Sequence, residues 1–384
     1  MKMEGSDRYF IEKLYNEKSR ENICNIFDSF SKSYKECRLI YFNLGTNPLM
    51  ESFKNTSING YSIIGVSDYE KSYILDSRYN SKSDRELKLA KIINLDLNVL
   101  TYLYKIFENN NLEDKNRFID YLNYIKENKY NLNMGTSLAE RISKPINLKI
   151  WSKIILSYVK YDSLGILNEH TLKENNALPE SKYQWAKDIL DSSNYSEYLS
   201  EQFSAVSCLL GKSLLLKMEK SDLKTKYLKL LEYSLYELDI YLEFELYLMY
   251  KYLSNDEDIQ RTFGKIQNIS VKIIDNIKNT SWDILHIRLV EQQMINDLRK
   301  DSIVFHYIGT KDKGLQKIIN INPLKMIGYL DNQPVIVREN NINDIISNDQ
   351  INDMLDKYRK NNRTLNVNHK EKFSEICKEI EKLV

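Results

Sequence analysis

The sequence predicts an α/β fold, a parallel sheet flanked by helices and interrupted by an α-helical insertion. Three observations predict it. Apolar runs of strand length alternate with amphipathic helical segments over residues 88–150, and again over 269–330. Residues 151–268 between them carry almost no strand signal. The chain has 384 residues, 42% of them hydrophobic, enough for a sizeable core with large additions.

Each element follows in order. Residues 1–36 read as helical, with Phe10, Leu14, Ile23, Ile26 and Phe27 on helical spacing. Residues 38–44 form a strand stopped by Gly45 and Pro48. Residues 61–66 and 72–75 form two more, with Ser67 and Asp68 as the turn signal between them. Residues 1–87 thus make an N-terminal α/β extension. From Lys88 the first core part begins: strand 92–95, helix 99–107, a break at Asn109–Asn111, helix 115–128, an extended piece over 130–134 and a helix starting near Thr136. In the insertion, Leu228, Leu231, Leu235, Leu238, Leu242 and Leu246 predict one long amphipathic helix over 227–253, ended by residues 255–258. The second core part, 269–330, has a helix from Ser281, strand 302–308, loop 309–313 and a helix from Leu315. A hairpin around 326–337 turns at Asp331-Asn332, and residues 331–384 form a polar helical tail.

Composition narrows the function. With 55 basic and 54 acidic residues the net charge is only +1, so no global field announces nucleic acid or membrane, and polyanion binding must come from local patches. Cys24, Cys37, Cys208 and Cys377 are far apart and fit no zinc spacing or disulfide framework, which suits reduced thiols in a cytoplasmic protein. Residues 203–218, the most apolar stretch, are too short and too polar to span a bilayer, and no signal-peptide core follows Met1.

Four carboxylates sit at element ends: Asp96 after strand 92–95, Glu140 and Asp283 in the first turns of helices, and Asp312 just past strand 302–308. In a parallel sheet the carboxyl ends of the strands share one edge, where ligands bind. The plainer reading is capping, with Thr136 or Ser137 opening one helix, Ser281 another, and the acids favouring the helix dipole. Gathered acids raise one another's pKa unless a cation offsets them. Mg²⁺ or Mn²⁺ would do so through oxygen ligands and retained waters.

These residues resemble the motifs of the PIN domain. Asp96-Leu97-Asn98 after an apolar strand looks like its Asp-x-Asn opening, and Thr136-Ser137-Leu138-Ala139-Glu140 like its Ser/Thr followed by a helical Glu. Trp282-Asp283 is similar to its third motif, and the strand running into Thr310-Lys311-Asp312 to its fourth. The resemblance covers about a third of the chain, and the distance from Glu140 to Asp283 departs from compact members. It implies a PIN-like metal-dependent endonuclease, expected to hydrolyse single-stranded RNA. It implies that Mg²⁺ or Mn²⁺ is held by Asp96, Glu140, Asp283 and Asp312, with Asn98, Thr310 and Ser137 in support. Two other readings stand beside it: a catalytically inactive scaffold binding RNA or protein, and a DNA nuclease in phage defence.

Basic residues flank the motifs. Arg141 and Lys144, continuing to Lys149 and Lys153, follow the second motif, and Lys311, Lys313 and Lys317 surround the fourth, so these could engage phosphates. The helical insertion is the candidate surface for a protein partner or a second copy of the chain. Asp275, Glu291 and Asp301 read as bystanders, and His286 and His306 as lone core or surface histidines.

Overall fold

The computed structural model describes residues 5–78, 87–108, 112–140, 148–173, 178–191, 196–342, 349–360 and 367–383. Two sheets organise it. Strands β1 (Cys37–Tyr41), β2 (Thr56–Ile58), β3 (Tyr61–Gly65), β4 (Tyr73–Asp76), β5 (Leu89–Leu95), β6 (Asn131–Asn133), β7 (Ile303–Thr310), β8 (Leu324–Leu330) and β9 (Gln333–Arg338) divide between them. One sheet has the order β4-β1-β8-β9, the other β2-β3-β7-β5-β6.

The α/β alternation is real, but the sheets are mixed rather than parallel. Only β7-β5-β6, on one side of the five-stranded sheet and reaching its edge, runs parallel. Strands β2 and β3 add to it antiparallel, and the four-stranded sheet is antiparallel throughout. Residues 56–65 therefore extend the main sheet, while 37–41 and 73–76 join the late hairpin 324–338. The turn signal at Ser67 and Asp68 separates strands of different sheets. The hairpin turn that the sequence reading missed is Asn59-Gly60, where φ of 52° and 89° supplies the doubly left-handed geometry of a two-residue loop.

Helices α1 (Gly5–Asn16) and α2 (Arg20–Phe30) cover the smaller sheet, burying Phe10, Leu14, Ile23 and Phe27 against Leu39, Tyr41 and Met326. Ser19 caps α2 by accepting from the Asn22 amide. Beside the main sheet stand α3 (Leu97–Phe107), α4 (Lys115–Glu127) and α5 (Gly135–Glu140). The predicted break at Asn109–Asn111 lies outside the described residues. The insertion contributes α6 (Leu148–Ser163), α7 (Glu169–Lys173), α8 (Glu180–Asp191), α9 (Ser196–Met218), α10 (Leu223–Glu232), α11 (Glu243–Leu253) and α12 (Glu257–Thr262). Then come α13 (Ile273–Leu298), α14 (Lys313–Ile321), α15 (Asp349–Lys360) and α16 (His369–Glu381). Among the described residues no helix is long and apolar enough to cross a membrane.

Two helix boundaries correct the sequence reading. The expected single helix over 227–253 is broken: α10 passes into a π-turn at Tyr233–Glu237, and Asp239 takes a left-handed φ of 52° before α11 starts. Leu231, Leu235, Leu238 and Leu246 are buried on both sides of the break and Leu228 and Leu242 half-buried, so their spacing could not reveal it. The helix expected from Ser281 begins instead at Ile273, because its buried face runs through Ile277, Thr280 and Ser281. Ser281 is no cap; its hydroxyl donates to the Ile277 carbonyl one turn back.

Candidate metal centre

The site is assembled at the carboxyl edge of the parallel strands. Strand β5 lies between β6 and β7, so the chain leaves β5 toward one neighbour and later returns on the other side. That reversal opens a crevice where ligands bind in open α/β sheets. A cleft of ≈ 180 Å³ lies there, and its wall includes Asp96, Glu140, Asp283 and Asp312. Asn98, Thr136, Lys265, Asn279, Trp282 and His286 complete the wall.

Asp96 is held by its neighbours in the sheet. Leu95 pairs with Gly309, and the Asp96 amide donates to the Gly309 carbonyl at 2.9 Å. The buried Thr310 hydroxyl donates to Asp96 Oδ2 at 2.8 Å and accepts from the Asp312 amide at 2.9 Å. Asn98 adds a longer contact to the same oxygen at 3.4 Å. Asp96 stands at the N-cap of α3 yet makes no capping hydrogen bond through its side chain, which removes the plainer explanation for it. Its Oδ1 makes no hydrogen bond among the described residues.

Asp312 does cap. Its Oδ1 accepts from the Gly314 amide at 2.6 Å at the start of α14. Its other carboxylate oxygen is left for the cleft.

The position of Asp283 corrects the sequence reading. Glu140 stands five residues after Gly135, where α5 begins. Ser137 is buried and donates to the Leu95 carbonyl at 2.5 Å, pinning α5 to the end of β5 instead of capping it. Asp283 lies in the middle of α13, where Asn279, Trp282, Asp283 and His286 share the helical face turned to the cleft. That face is fixed twice. Asn133 bridges Asn94 at 2.8 Å and Gln293 at 3.1 Å, tying α13 to β5 and β6. The Trp282 ring stacks on Phe203 of α9 at 4.8 Å.

Two cleft groups are buried without a partner. His286 Nε2 and Thr136 Oγ1 make no hydrogen bond, with residues only 8% and 3% exposed. Buried polar atoms are nearly always satisfied, so orphans facing an oxygen-rich cleft point to a bound group. Burial holds the His286 pKa below its usual value, against the opposing pull of Asp96. Among the described residues, however, no group of three or more Asp, Glu, His or Cys side chains is placed to hold a metal ion together. The four acids share a cleft without touching a common point. That donor set suits an ion held by one or two carboxylates with water filling its shell, the habit of Mg²⁺.

The sequence reading set His286 aside as a lone histidine and left out Lys265 and Asn279. Asp283 and His286 are three residues apart on one helix, a spacing visible in the sequence. Lys265 leaves no such trace. It comes from the end of the insertion, which docks when Asn276 donates to the Lys265 carbonyl at 2.9 Å. Lys265 is exposed and makes no ion pair among the described residues.

Of the proposed phosphate contacts, Arg141 and Lys144 lie outside the described residues. Lys311 is engaged with Asp114 at 3.1 Å and packed over the Tyr61 and Tyr102 rings. Lys313 is exposed at the start of α14, and Lys153 pairs with Glu108 at 2.6 Å. The bystanders have structural partners: Glu291 is buried against Arg338, His306 against Asp297, and Asp301 faces Arg78.

Searches against protein-family models, curated proteins and solved structures returned no match to this chain.

Proposed function

We propose that this chain is a PIN-like, metal-dependent endonuclease that hydrolyses phosphodiester bonds, with single-stranded RNA as substrate. One observation carries the reading. Four acids from four separate chain segments line one cleft at the switch point of the parallel strands, in the order the motif resemblance requires. The orphaned His286 and Thr136 atoms support a ligand there.

A Mg²⁺ or Mn²⁺ ion taken up among Asp96, Glu140, Asp283 and Asp312, held directly by one or two of them and otherwise through water, would activate water and offset charge on the phosphoryl oxygens. The protein's own groups do the rest. Thr310 and Asn98 orient Asp96, and the α14 N-terminus fixes Asp312. Lys265 brings a cation to the rim, where it would draw a phosphate toward the acids.

The test is cleavage of end-labelled single-stranded RNA in MnCl₂, with and without EDTA. Cleavage abolished by EDTA, and reduced at least about 100-fold by Asp96→Asn and by Asp283→Asn, is expected. Undiminished cleavage by both variants overturns the site. Tight RNA binding without cleavage favours the scaffold reading, and preference for single-stranded DNA in competition overturns the substrate.

A further inference from the structure

The acids explain a hard-cation site made of oxygens, but they do not explain the imidazole beside them. His286 sits on the same face of α13 as Asp283, three residues on, and lines the same cleft. Residues so spaced on a helix project side by side. The residue is only 8% exposed, and its Nε2 finds no donor or acceptor in the protein. His306, by contrast, is buried and satisfied, with Nε2 at 2.8 Å from Asp297. A buried ring nitrogen without a partner, on a residue that lines a carboxylate-bearing cleft, is available as a donor atom.

We propose that His286 Nε2 is a metal ligand, which makes the centre a mixed nitrogen–oxygen site selective for Mn²⁺ over Mg²⁺. The proposal rests on the metal-centre reading above and specifies its ion. Carboxylate, carbonyl and water oxygens serve Mg²⁺ and Mn²⁺ alike, whereas imidazole nitrogen suits transition ions and is a poor ligand for Mg²⁺. An Asp and a His offered from one helix face also limit how many further protein ligands are needed.

The experiment uses the full chain and the metals alone. Mn²⁺ binding is followed by loss of the free-ion paramagnetic resonance signal, and Mg²⁺ by its competition for the same site. Electron spin echo modulation of the Mn²⁺-loaded, unmodified protein reads directly whether nitrogen is coordinated. Labelling the histidines with ¹⁵N assigns that nitrogen to imidazole without any substitution.

The expected result is ¹⁴N modulation in the native protein that changes on ¹⁵N-histidine labelling and disappears in His286→Gln. That variant should bind Mn²⁺ about 10-fold more weakly or worse, with Mg²⁺ affinity changed less than about twofold. Mn²⁺ bound in an Asp96-dependent way without histidine nitrogen modulation overturns the His286 assignment and leaves the metal centre standing. So does histidine modulation that persists in a folded His286→Gln protein. Failure of both ions to bind in an Asp96-dependent way overturns the metal centre itself, and this inference with it.

Discussion

Thr310 holds Asp96 from the neighbouring parallel strand, its hydroxyl donating to Oδ2 at 2.8 Å while accepting the Asp312 amide at 2.9 Å. A single hydroxyl thus sets the positions of two acids whose codons are far apart. Thr310→Val removes the hydroxyl with little change of shape, leaving the Asp312 amide without its acceptor and Asp96 free to rotate. It should lower cleavage about 10- to 100-fold, the usual cost of losing a group that orients a ligand. Stability should fall by about 1–3 kcal/mol in urea denaturation. Thr310→Ser keeps the hydroxyl and should recover most of the activity. Equal losses in both variants would mean that the methyl group, not the hydrogen bond, matters.

Gly309, one residue earlier, protects the same geometry by lacking a side chain. A Cβ there would stand 2.5 Å from the Tyr121 hydroxyl and 2.8 Å from Ile93 Cδ1. Gly309→Ala should therefore destabilise by about 1–3 kcal/mol, the range for overpacking a filled core. It should also impair cleavage, because the Gly309 carbonyl accepts the Asp96 amide. The Tyr121 hydroxyl is buried and unpartnered, so Tyr121→Phe removes the nearest obstacle. The double variant should regain part of the lost stability in urea titrations. An additive double variant would show that Ile93 sets the limit.

What could be read from the sequence was what local chemistry determines. An apolar run ending at Asp96, and a strand running into Thr310 and Asp312, are contiguous signals. The structure places these residues at one sheet edge. The start of α13 was not legible, since Ser281 mimics a cap and nothing nearby says that its hydroxyl turns back to Ile277. Sheet order was hidden for a different reason: β1 pairs with β8 and β3 with β7, and pairings between such distant segments leave no local mark. His286 was within reach of the sequence, through its spacing from Asp283. Lys265 was not, because its arrival depends on how the insertion docks against α13.

The His306–Asp297 contact beneath the sheet sets an acid limit on the fold. The His306 hydrogen bond, helped by Lys300, holds the Asp297 carboxyl below its usual pKa despite partial burial. A carboxylate depressed in the folded state contributes stability that is present above its unfolded pKa and is lost as pH falls through the folded value. The native protein should accordingly lose stability below about pH 4, where the unfolded chain takes up the proton first. Asp297→Asn should be less stable at pH 7 and show a flatter decline over that acidic window. Urea midpoints measured at pH 7, 4 and 3 check this. Parallel curves for the two proteins would remove Asp297 from the acid limb.

Lys265 tests whether the insertion takes part in substrate binding. It is the cation that the end of the insertion places on the cleft wall, exposed and without an ion pair among the described residues. A lysine that neutralises one phosphate of a single strand releases condensed counterion, contributing about 0.7 to the slope of log K against log salt. Lys265→Ala in an Asp96→Asn background should therefore bind single-stranded RNA more weakly and lower that slope by roughly 0.7. Anisotropy titrations across a salt series measure both quantities, and Lys32→Ala, exposed between α2 and β1, is the control for general charge loss. A weaker affinity with an unchanged slope would mean that Lys265 acts through the acids, as a counter-charge within the cleft, and not on the phosphate.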